Sequence, residues 1–475
     1  MPLIFVSGCF NVLHPGHLRL LRFAKECGDR LIVAVQSDRL AADEAHVHEH
    51  LRLEGVQSIS WVDEAFIFDE PLTDLISRLR PDIIVKGKEH EFRANSELAI
   101  LEKYGGSLVF SSGETIFSSL DLIQKEFQIL SHESIQLPHE FLLRHKIKQT
   151  ELSQLLKKFS KLKVCVVGDL IIDEYITCEP LGMSQEDPTI VVTPINSTQF
   201  IGGAGIVAAH AAGLGSTVQF FSVTGRDLSR EYALKELEKI GVKAHLLIDD
   251  NRPTTLKQRY RSKGKSLLRV SHLHQGAISS ALQIQIFTAI ERILDDIDLL
   301  VFSDFNYGCL PQSLVDKIIK KSKSLGIFMA ADSQSSSQMG DISRFHGMNL
   351  LTPTEREARI STRNREDGLI VLAEQLRQQS SAHNILLKLG EEGLIIHTSN
   401  NKASGWLTDR VNALNTSAKD VAGAGDSLLI TSAMTLASGG SIWEAACLGS
   451  LAAAIQVGKV GNMPLHMDEL LRDLI

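Results

Sequence analysis

Cysteine is scarce in this 475-residue sequence, and its placement excludes two classes of protein. The six cysteines are scattered, without a CxxC pair or a spacing typical of a zinc site. They are Cys9, Cys27, Cys165, Cys178, Cys309 and Cys447. Reduced thiols in the cytosol explain this pattern more simply than disulfides or bound metal. We therefore expect neither a disulfide-stabilised scaffold nor a zinc module.

Long apolar runs and a surplus of positive charge are also missing. No uninterrupted apolar stretch reaches membrane-spanning length. A secretory signal would require basic residues near its start, but no basic residue precedes Arg19. The formal net charge of −8 gives no electrostatic support for nucleic acid or an anionic membrane as a partner. We expect a cytoplasmic protein that acts on small molecules.

The pattern of apolar residues predicts an α/β fold with two domains. A chain of 475 residues exceeds what one hydrophobic core usually serves. In the first half, apolar runs typical of buried parallel strands alternate with amphipathic helices, which predicts a Rossmann-like, doubly wound sheet. Strands are predicted at Leu3–Val6, Arg30–Val35, Ala65–Phe68, Asp82–Val85 and Ser107–Phe110, and helices at Leu18–Glu26, Leu72–Leu79 and Ser96–Tyr104.

A polar stretch of mixed charge at residues 131–150 is predicted to be a linker between a first domain at 1–130 and a second at 151–475. The second domain has its own alternation of strands and helices, which predicts a larger sheet with its own core. Its strands are predicted at Val164–Val167, Gln219–Ser222, Asp298–Phe302, Gly326–Ala331, Met348–Leu351, Ile385–Lys388 and Leu394–His397.

Two stretches of the second domain alternate like half-exposed strands. They are TIVVTP and TTLKQRYRSKGKSLLRVS, and the latter is predicted to turn back at Lys263 and Gly264. The pattern favours a small β-sheet that stands off the main domain as a lid. Because exposed strand edges invite pairing, we expect a homodimer formed through this lid.

The stretch GCFNVLHPGH places His14 and His17 where the first strand ends and the first helix begins. In an open parallel sheet, ligands bind at this corner, and the helix amides favour anions. Gly16 has no side chain, so a triphosphate can approach the backbone closely. The spacing favours phosphate handling over a structural role or a metal site, since zinc needs further ligands and the only other histidine cluster, HVHEH, is expected to be a solvated loop.

This region resembles the nucleotidylyltransferases that carry the motif HxGH. The resemblance runs from GCFNVLHPGH through GDRLIVAVQSD and RPDIIVKG, covers nearly all of residues 1–128, and is greatest for the transferase half of bifunctional heptose kinase/adenylyltransferases. It implies transition-state stabilisation by His14 and His17, phosphate contacts from Lys86, Ser118 and Ser119, and a place near the nucleotide for Arg52. Taken without the resemblance, Lys86 reads as an exposed strand-end lysine and Arg52 equally well as a surface residue.

The stretch DVAGAGDSLLITSAM predicts a phosphoryl-transfer site in the second domain. Gly423, Ala424 and Gly425 expose successive backbone N–H groups at the start of a predicted helix, which forms an anion hole. Asp426 follows at once, placed to take the proton from an attacking hydroxyl. Taken alone, the loop is also consistent with a glycine-rich turn and a capping aspartate.

Residues 160–465 resemble the ribokinase-like (PfkB) sugar kinases, and most of all the kinase half of the same bifunctional heptose enzymes. The motifs are VVGDLIIDEY, IGGAG, FSDFNYG, LLTPTEREA, LGEEG, DVAGAGD and VGKVG. The resemblance implies sugar contacts from Asp169, Asp173, Gly202 and Gly203, and lid contacts to the sugar phosphate from Lys257, Arg259 and Arg269. It further implies a Mg²⁺ and phosphate network that includes Glu357, and a nucleotide side that includes Gly390 and Gly393.

Several positions depart from the kinase pattern. Ile206 stands where the family usually has a sugar-binding Asn, and Gln334 stands where it has a strand-end Lys. The other departures are Ser271, Ser333 and Thr354. Because most of them lie on the sugar side, we expect a kinase that acts on a modified sugar phosphate, or slowly, or not at all.

Together the resemblances imply synthesis of a nucleotide-activated heptose. The second domain would phosphorylate C1 of heptose 7-phosphate from ATP with Mg²⁺, and the first would transfer AMP from ATP to heptose 1-phosphate. A separate phosphatase would act between the two steps, and no metal is expected to be ligated directly by the protein. The domain order is the reverse of that in the bifunctional heptose enzymes. A cytidylyltransferase fused to a different sugar kinase, or a kinase half that only binds ligand, stays open.

Overall fold

The chain divides into two structural units, Met1–Glu133 and Ser134–Ile475. The computed structural model describes residues 2–11, 13, 15–41, 45–87, 97–101, 103–111, 135–184, 186–187, 189–262, 265–334, 340–399, 406–415 and 417–474. Each unit has its own hydrophobic core and is described separately below. Within the described ranges, no helix combines the length and the apolar character that crossing a bilayer requires.

The first unit is a parallel five-stranded sheet with the strand order β3-β2-β1-β4-β5. Its strands are β1 (Leu3–Gly8), β2 (Arg30–Gln36), β3 (Glu64–Phe68), β4 (Ile83–Gly87) and β5 (Ser107–Ser111). Its helices are α1 (Pro15–Glu26), α2 (Asp38–Ala41), α3 (Glu49–Gln57), α4 (Leu72–Leu79) and α5 (Leu98–Leu101). The chain changes direction across the sheet between β1 and β4, which places the ligand-binding crevice outside their carboxyl ends.

Two features of the first unit differ from the sequence prediction. HVHEH is not simply a solvated loop, because His48 caps α3 and His50 lies in the first turn of that helix. The helix predicted at Ser96–Tyr104 is shorter in the described residues, where it spans Leu98–Leu101.

The second unit is built on a nine-stranded sheet with helices on both faces. Its strands are β6 (Lys163–Gly168), β9 (Thr217–Thr224), β10 (Lys243–Ile248), β13 (Leu299–Asp304), β14 (Phe328–Ser333), β15 (Leu350–Leu351), β16 (Asn384–Lys388), β17 (Leu394–Ser399) and β18 (Trp406–Val411). They are arranged in the order β10-β9-β6-β13-β14-β15-β16-β17-β18. Pairing is parallel as far as β16, so these strands end at one edge of the sheet, whereas β17 and β18 are antiparallel.

The helices of the second unit cover this sheet. They are α6 (His139–Arg144), α7 (Gln149–Lys158), α8 (Ala204–Gly213), α9 (Leu228–Lys239), α10 (Ser280–Glu291), α11 (Gln312–Leu325), α12 (Glu355–Thr362), α13 (Leu369–Ser380), α14 (Ala424–Ala437), α15 (Ile442–Val457) and α16 (Met467–Arg472). The helices α8, α14 and α15 are apolar on nearly all sides and are mostly buried, because they pack inside the largest core.

A separate four-stranded sheet forms the lid that the alternating pattern predicted. Its strands are β7 (Leu170–Met183), β8 (Ile190–Gly203), β11 (Thr255–Ser262) and β12 (Lys265–His272), in the order β12-β11-β7-β8. The predicted turn residues Lys263 and Gly264 lie outside the described residues. The strand β7 extends the chain directly from β6, so the lid and the main sheet share one continuous segment.

The stretch predicted as a linker is only partly one. Residues 131–134 lie outside the described residues, but from Ile135 onward the chain belongs to the second unit. Phe141 and Leu142 of α6 are buried in its core, and His145 stacks on Trp443 at a centroid distance of 4.0 Å. Burial of these apolar side chains holds the segment in place despite its polar flanks.

Candidate active sites

The first candidate site lies at the carboxyl end of β1. Gly16 and His17 are in the first turn of α1, and the ring of His17 contacts that of Phe10 at a centroid distance of 5.2 Å. The amides of this turn face an incoming ligand with partial positive charge. His14, Ser118 and Ser119 lie outside the described residues, so their predicted roles stay predictions.

Arg52 is buried at this corner rather than exposed on the surface. Its Nε donates to the Val47 carbonyl at 2.7 Å, and its terminal nitrogens donate to the Cys9 carbonyl and to Asp38 Oδ1, each at 2.6 Å. The hydrogen bond from Arg52 lowers the pKa of Asp38. These contacts tie the segment after β1 to the segment after β2, which favours a role in shaping the site; direct contact with nucleotide stays a prediction.

Lys86 lies near the carboxyl end of β4, the strand beside β1. Its Nζ donates to Glu97 Oε1 at 2.6 Å, and the Glu97 side chain is almost completely buried. Lys86 is therefore not the exposed strand-end lysine of the simpler interpretation. An anchored ammonium next to the crevice is suited to phosphate, and its contact with phosphate stays a prediction.

The second candidate site is centred on the amino terminus of α14. Gly423 has a φ of +76° and caps the helix, and a Cβ there would come within 2.7 Å of Asn462 Oδ1. Glycine is needed at this position for both reasons. Ala424 and Gly425 begin the helix, so its unpaired N–H groups point into the site and can hold an anion.

Asp426 lies in the first turn of α14 and is buried. Burial, followed by repulsion from Asp332, raises its pKa to about 7, and Lys388 partly offsets this effect. The side-chain amide of Gln334 donates to Asp426 Oδ1 at 3.3 Å. A carboxylate with a pKa near neutrality, beside an anion-binding helix end, is suited to take a proton from a hydroxyl.

Lys388 is a residue of this site that the sequence analysis missed. It ends β16, and its Nζ donates to both carboxylate oxygens of Asp332, at 2.9 and 3.1 Å. Burial works against the charged form of Lys388, but the charges of Asp332 and Glu357 outweigh it and raise its pKa. A lysine at the carboxyl end of a strand, two residues before Gly390, was the available signal.

Asp173 on β7 lies in the part of the site that is predicted to contact a sugar. The amide of Asn462 donates to Asp173 Oδ2 at 3.0 Å, and Arg259 from the lid lies 3.7 Å from Oδ1. Asp173 Oδ1 and Asn462 Oδ1 are buried and have no hydrogen-bond partner among the described residues. A Cβ on Gly202 would collide with the Asp173 carboxylate, so the glycine leaves room for it. Sequence reasoning missed Asn462.

Asp169 serves the loop after β13 rather than an open pocket. Its carboxylate accepts backbone hydrogen bonds from Phe305, Tyr307 and Cys309, at 2.9, 3.3 and 3.2 Å. Burial, followed by repulsion from Asp304, raises its pKa. These contacts favour a positioning role, and its predicted contact with sugar stays a prediction. Gly203 caps α8 with a φ of +60°, where a Cβ would collide with the Asp169 carbonyl.

The register of the lid strands places its cations on one face. Lys257 pairs with Asp173, and Arg259 lies between Tyr175 on β7 and Arg269 on β12. Residues paired across strands share a face of the sheet, so these side chains are on the face that carries Asp173. The Lys257 ammonium lies over the rings of Phe305 and Tyr307, at 5.3 and 5.1 Å.

The predicted nucleotide side follows directly after Lys388. Gly390, with a φ of +63°, begins a short 3₁₀ turn, and Gly393, with a φ of +89°, follows it. A Cβ on Gly393 would collide with the Val411 carbonyl. Glu357 lies in the first turn of α12, where it forms a capping box with Thr354. Thr354 thus caps the helix, which explains how the position can differ from the family's asparagine.

The other departures have distinct structural consequences. Ile206 is completely buried in the core and cannot contact a sugar. Ser333 donates to Asp304 Oδ2 at 2.8 Å, whereas Ser271 is exposed on the lid. No group of three or more His, Cys, Asp or Glu side chains in the described ranges has the arrangement of a metal site.

Comparison with family models matches both units. The model described as pfkB family carbohydrate kinase matches residues 161–467, and the model described as cytidylyltransferase-like matches residues 5–111. The transferase-type match therefore precedes the kinase match in the chain.

Curated relatives match about two thirds of the chain. The proteins named "Bifunctional protein HldE" from Paramagnetospirillum magneticum, Helicobacter hepaticus and Methylobacillus flagellatus are 29%, 31% and 32% identical to it over 68%, 65% and 66% of the chain. The chain covers 65%, 63% and 63% of their lengths.

Solved structures share the fold of the second unit. Ribokinase from Thermotoga maritima is 20% identical with a TM-score of 0.52, covering 66% of this chain and 99% of its own. Phosphofructokinase-2 from Escherichia coli is 16% identical with a TM-score of 0.53, covering 66% and 98%.

Proposed function

Because the chain belongs to the pfkB family of carbohydrate kinases, we propose that its second unit phosphorylates C1 of a heptose 7-phosphate from ATP. The first unit then transfers AMP from ATP to the heptose 1-phosphate and releases pyrophosphate. The observation that carries the kinase assignment is the position of Asp426, a buried carboxylate in the first turn of an anion-binding helix. The name of the relatives, Bifunctional protein HldE, supports two activities on one chain, and heptose is the sugar that the sequence resemblance implies.

The kinase step follows from the placement of these groups. Asp173 and Asn462 each present an oxygen that has no hydrogen-bond partner among the described residues and that accepts a hydrogen bond from a sugar hydroxyl. Arg259 and Lys257 share the face of Asp173 and attract the sugar's phosphate. Asp426 takes the proton of the C1 hydroxyl as that oxygen attacks the γ-phosphorus of ATP. The amides at the start of α14 stabilise the charge of the transferring group.

Mg²⁺ fits this site as a companion of ATP. Asp332 accepts hydrogen bonds from the Lys388 ammonium, and the charges of Glu357 and Asp426 also act on that ammonium. Mg²⁺ is usually bound through one or two carboxylates together with substrate phosphates. Glu357 is the residue proposed to hold it together with the phosphates of ATP, which differs from the expectation, drawn from the sequence alone, of no direct ligation by the protein. When bound, the ion neutralises phosphate charge.

The transferase step needs no general base, because a sugar phosphate is already ionised. His14, His17 and Lys86 screen its repulsion with ATP and stabilise the charge on the departing pyrophosphate. Gly16 and His17 in the first turn of α1 and the anchored Lys86 support this assignment.

Two alternatives have specific support. The name of the matching family model, cytidylyltransferase-like, favours CTP as a rival nucleotide for the first unit. Burial of Ile206 removes a family sugar contact, which favours a second unit that only binds ligand. Asn462 weighs against a second unit that only binds ligand. Its amide lies next to Asp173 although it comes from another part of the chain.

The proposal includes partners and location. The chain works in the cytoplasm with a separate phosphatase that removes the 7-phosphate between the steps. It forms a homodimer through the lid, whose strands expose several large apolar side chains: Leu181, Met183, Ile190, Ile195 and Leu268.

We expect kcat/KM for sugar phosphorylation to rise with pH until about 7 and then to level off. Asp426, with a pKa raised to about 7 by burial and by Asp332, is protonated below that pH and cannot accept the hydroxyl proton. The rate should fall about tenfold for each pH unit below this value. Sugar-dependent ADP formation across the range measures it, and a midpoint near the ordinary aspartate pKa of about 4 would contradict the assignment.

We expect pyrophosphate release from heptose 1-phosphate with ATP and much less with CTP, GTP or UTP. The measurement is a panel of the four nucleotides with the full chain. Release with CTP alone would overturn the adenylyl assignment in favour of the rival nucleotide.

A further inference from the structure

We propose that Lys388 is a further catalytic residue of the second unit, whose ammonium contacts the transferred phosphoryl group. The proposal rests on the proposed kinase function. It names a residue that lies outside the loop formed by Gly423, Ala424, Gly425 and Asp426.

The backbone and side chain of Lys388 are both fixed. Its N–H donates to the Pro353 carbonyl at 2.7 Å, which holds the end of β16 against the segment before α12. The Nζ donates to the two Asp332 oxygens at 2.9 and 3.1 Å. An ammonium has three N–H donors, so two are directed to Asp332 and one is left for another acceptor.

The ammonium lies against the start of α14. A Cβ on Gly425 would be 3.2 Å from Lys388 Nζ, so the absence of a side chain at this position lets the cation come close to the helix amides. A fixed cation and a helix amino terminus both attract the same anionic group. The geometry therefore makes one binding position for phosphoryl oxygens, formed by α14 from one side and β16 from the other.

The charges around Lys388 support a role beyond neutralising Asp332, the residue to which its ammonium is hydrogen-bonded. Asp332, Glu357 and Asp426 all act on it and keep it protonated despite its burial. Gln334, which directly follows β14, is neutral, so the β14 end supplies no cation of its own to this group. Without Lys388, a phosphoryl group that approaches Asp426 would meet three carboxylates.

The chemical step is balanced as follows. The C1 oxygen forms a bond to the γ-phosphorus, and the bond from that phosphorus to the bridging oxygen of ADP breaks, with its electron pair leaving on ADP. The hydroxyl proton goes to Asp426. Lys388 donates a hydrogen bond to a non-bridging oxygen of the moving group and is not consumed.

Three variants of the full chain test the proposal. We expect Lys388→Met to lower kcat for sugar-dependent ADP formation by about 10²–10³-fold, with KM for the sugar phosphate nearly unchanged, and Lys388→Arg to restore part of the loss. Lys239→Met, an exposed lysine on α9, is the matched control and should behave as wild type.

The double variant Lys388→Met/Asp332→Asn separates catalysis from charge balance. If Lys388 only neutralises Asp332, removing both charges restores kcat to near the wild-type level, and the proposal is overturned. If the ammonium acts on the phosphoryl group, kcat stays low although the thermal unfolding temperature recovers.

A sugar-free measurement keeps this test independent of the proposed substrate. Calorimetric titrations of the full chain with ADP and with the ATP analogue AMP-PNP compare ligands that differ in the γ-phosphoryl group. Lys388→Met should weaken AMP-PNP binding at the kinase site about tenfold more than ADP binding. Equal weakening, or none, would overturn the role of Lys388, whereas inactivity of wild type on heptose 7-phosphate would instead overturn the proposed sugar.

Discussion

Replacing Asp426 by asparagine is expected to lower kcat of sugar phosphorylation by about 10²–10⁴-fold, the usual contribution of a general base. Asparagine has nearly the same volume and still accepts the hydrogen bond from Gln334, but it cannot take the hydroxyl proton. Pyrophosphate release by the first unit should stay at the wild-type level. Sugar-dependent ADP formation and sugar-phosphate-dependent pyrophosphate release measure the two activities side by side.

Asp468→Asn is the matched control for this prediction. Asp468 also lies in the first turn of a helix, α16, but it is exposed. The same substitution there should leave both activities unchanged. If Asp426→Asn keeps kinase activity within a few-fold of wild type, Asp426 is not the base.

Replacing His14 or His17 by alanine is expected to have the opposite effect. Pyrophosphate release should fall by about 10²–10³-fold, because a donor to the developing charge is lost. Sugar-dependent ADP formation should not change, since each unit has its own core. The same pair of assays measures both results.

His46→Ala is the control for the histidine substitutions. His46 is an exposed imidazole of the same unit and has no role in the proposed mechanism. It should behave as wild type in both assays. If His46→Ala instead abolishes pyrophosphate release together with His14→Ala, a shared metal site would replace the phosphate-handling interpretation.

The buried parallel strands could be predicted from the sequence because their side chains are apolar on both faces. Arg30–Val35 and Asp298–Phe302 were predicted, for example, and the structure has Arg30–Gln36 and Leu299–Asp304. The strand β7 was missed, since its outer half is exposed and contains Pro180 and Gly182, and since it follows β6 with only Asp169 between them. The helix α3 was missed because its sequence, EHLRLEGVQ, has little amphipathic pattern.

The two phosphate loops could be predicted because glycine next to a catalytic residue type is a local signal. Lys388 and Asn462 were missed, because their roles depend on partners far away in sequence. Asp332 lies 56 residues before Lys388, and Asp173 lies 289 residues before Asn462. These residues belong to a site because the fold brings distant parts of the chain together at one edge of the sheet. Local sequence patterns do not show which strand ends lie side by side there.

The central claim is that the second unit is an active sugar kinase on the same chain as a nucleotidylyltransferase. The most direct test is ADP formation by the purified full chain with Mg-ATP, with and without heptose 7-phosphate. The account predicts ADP formation that depends on the sugar phosphate and that Asp426→Asn removes. No sugar-dependent ADP formation, while pyrophosphate is still released from heptose 1-phosphate, would contradict it.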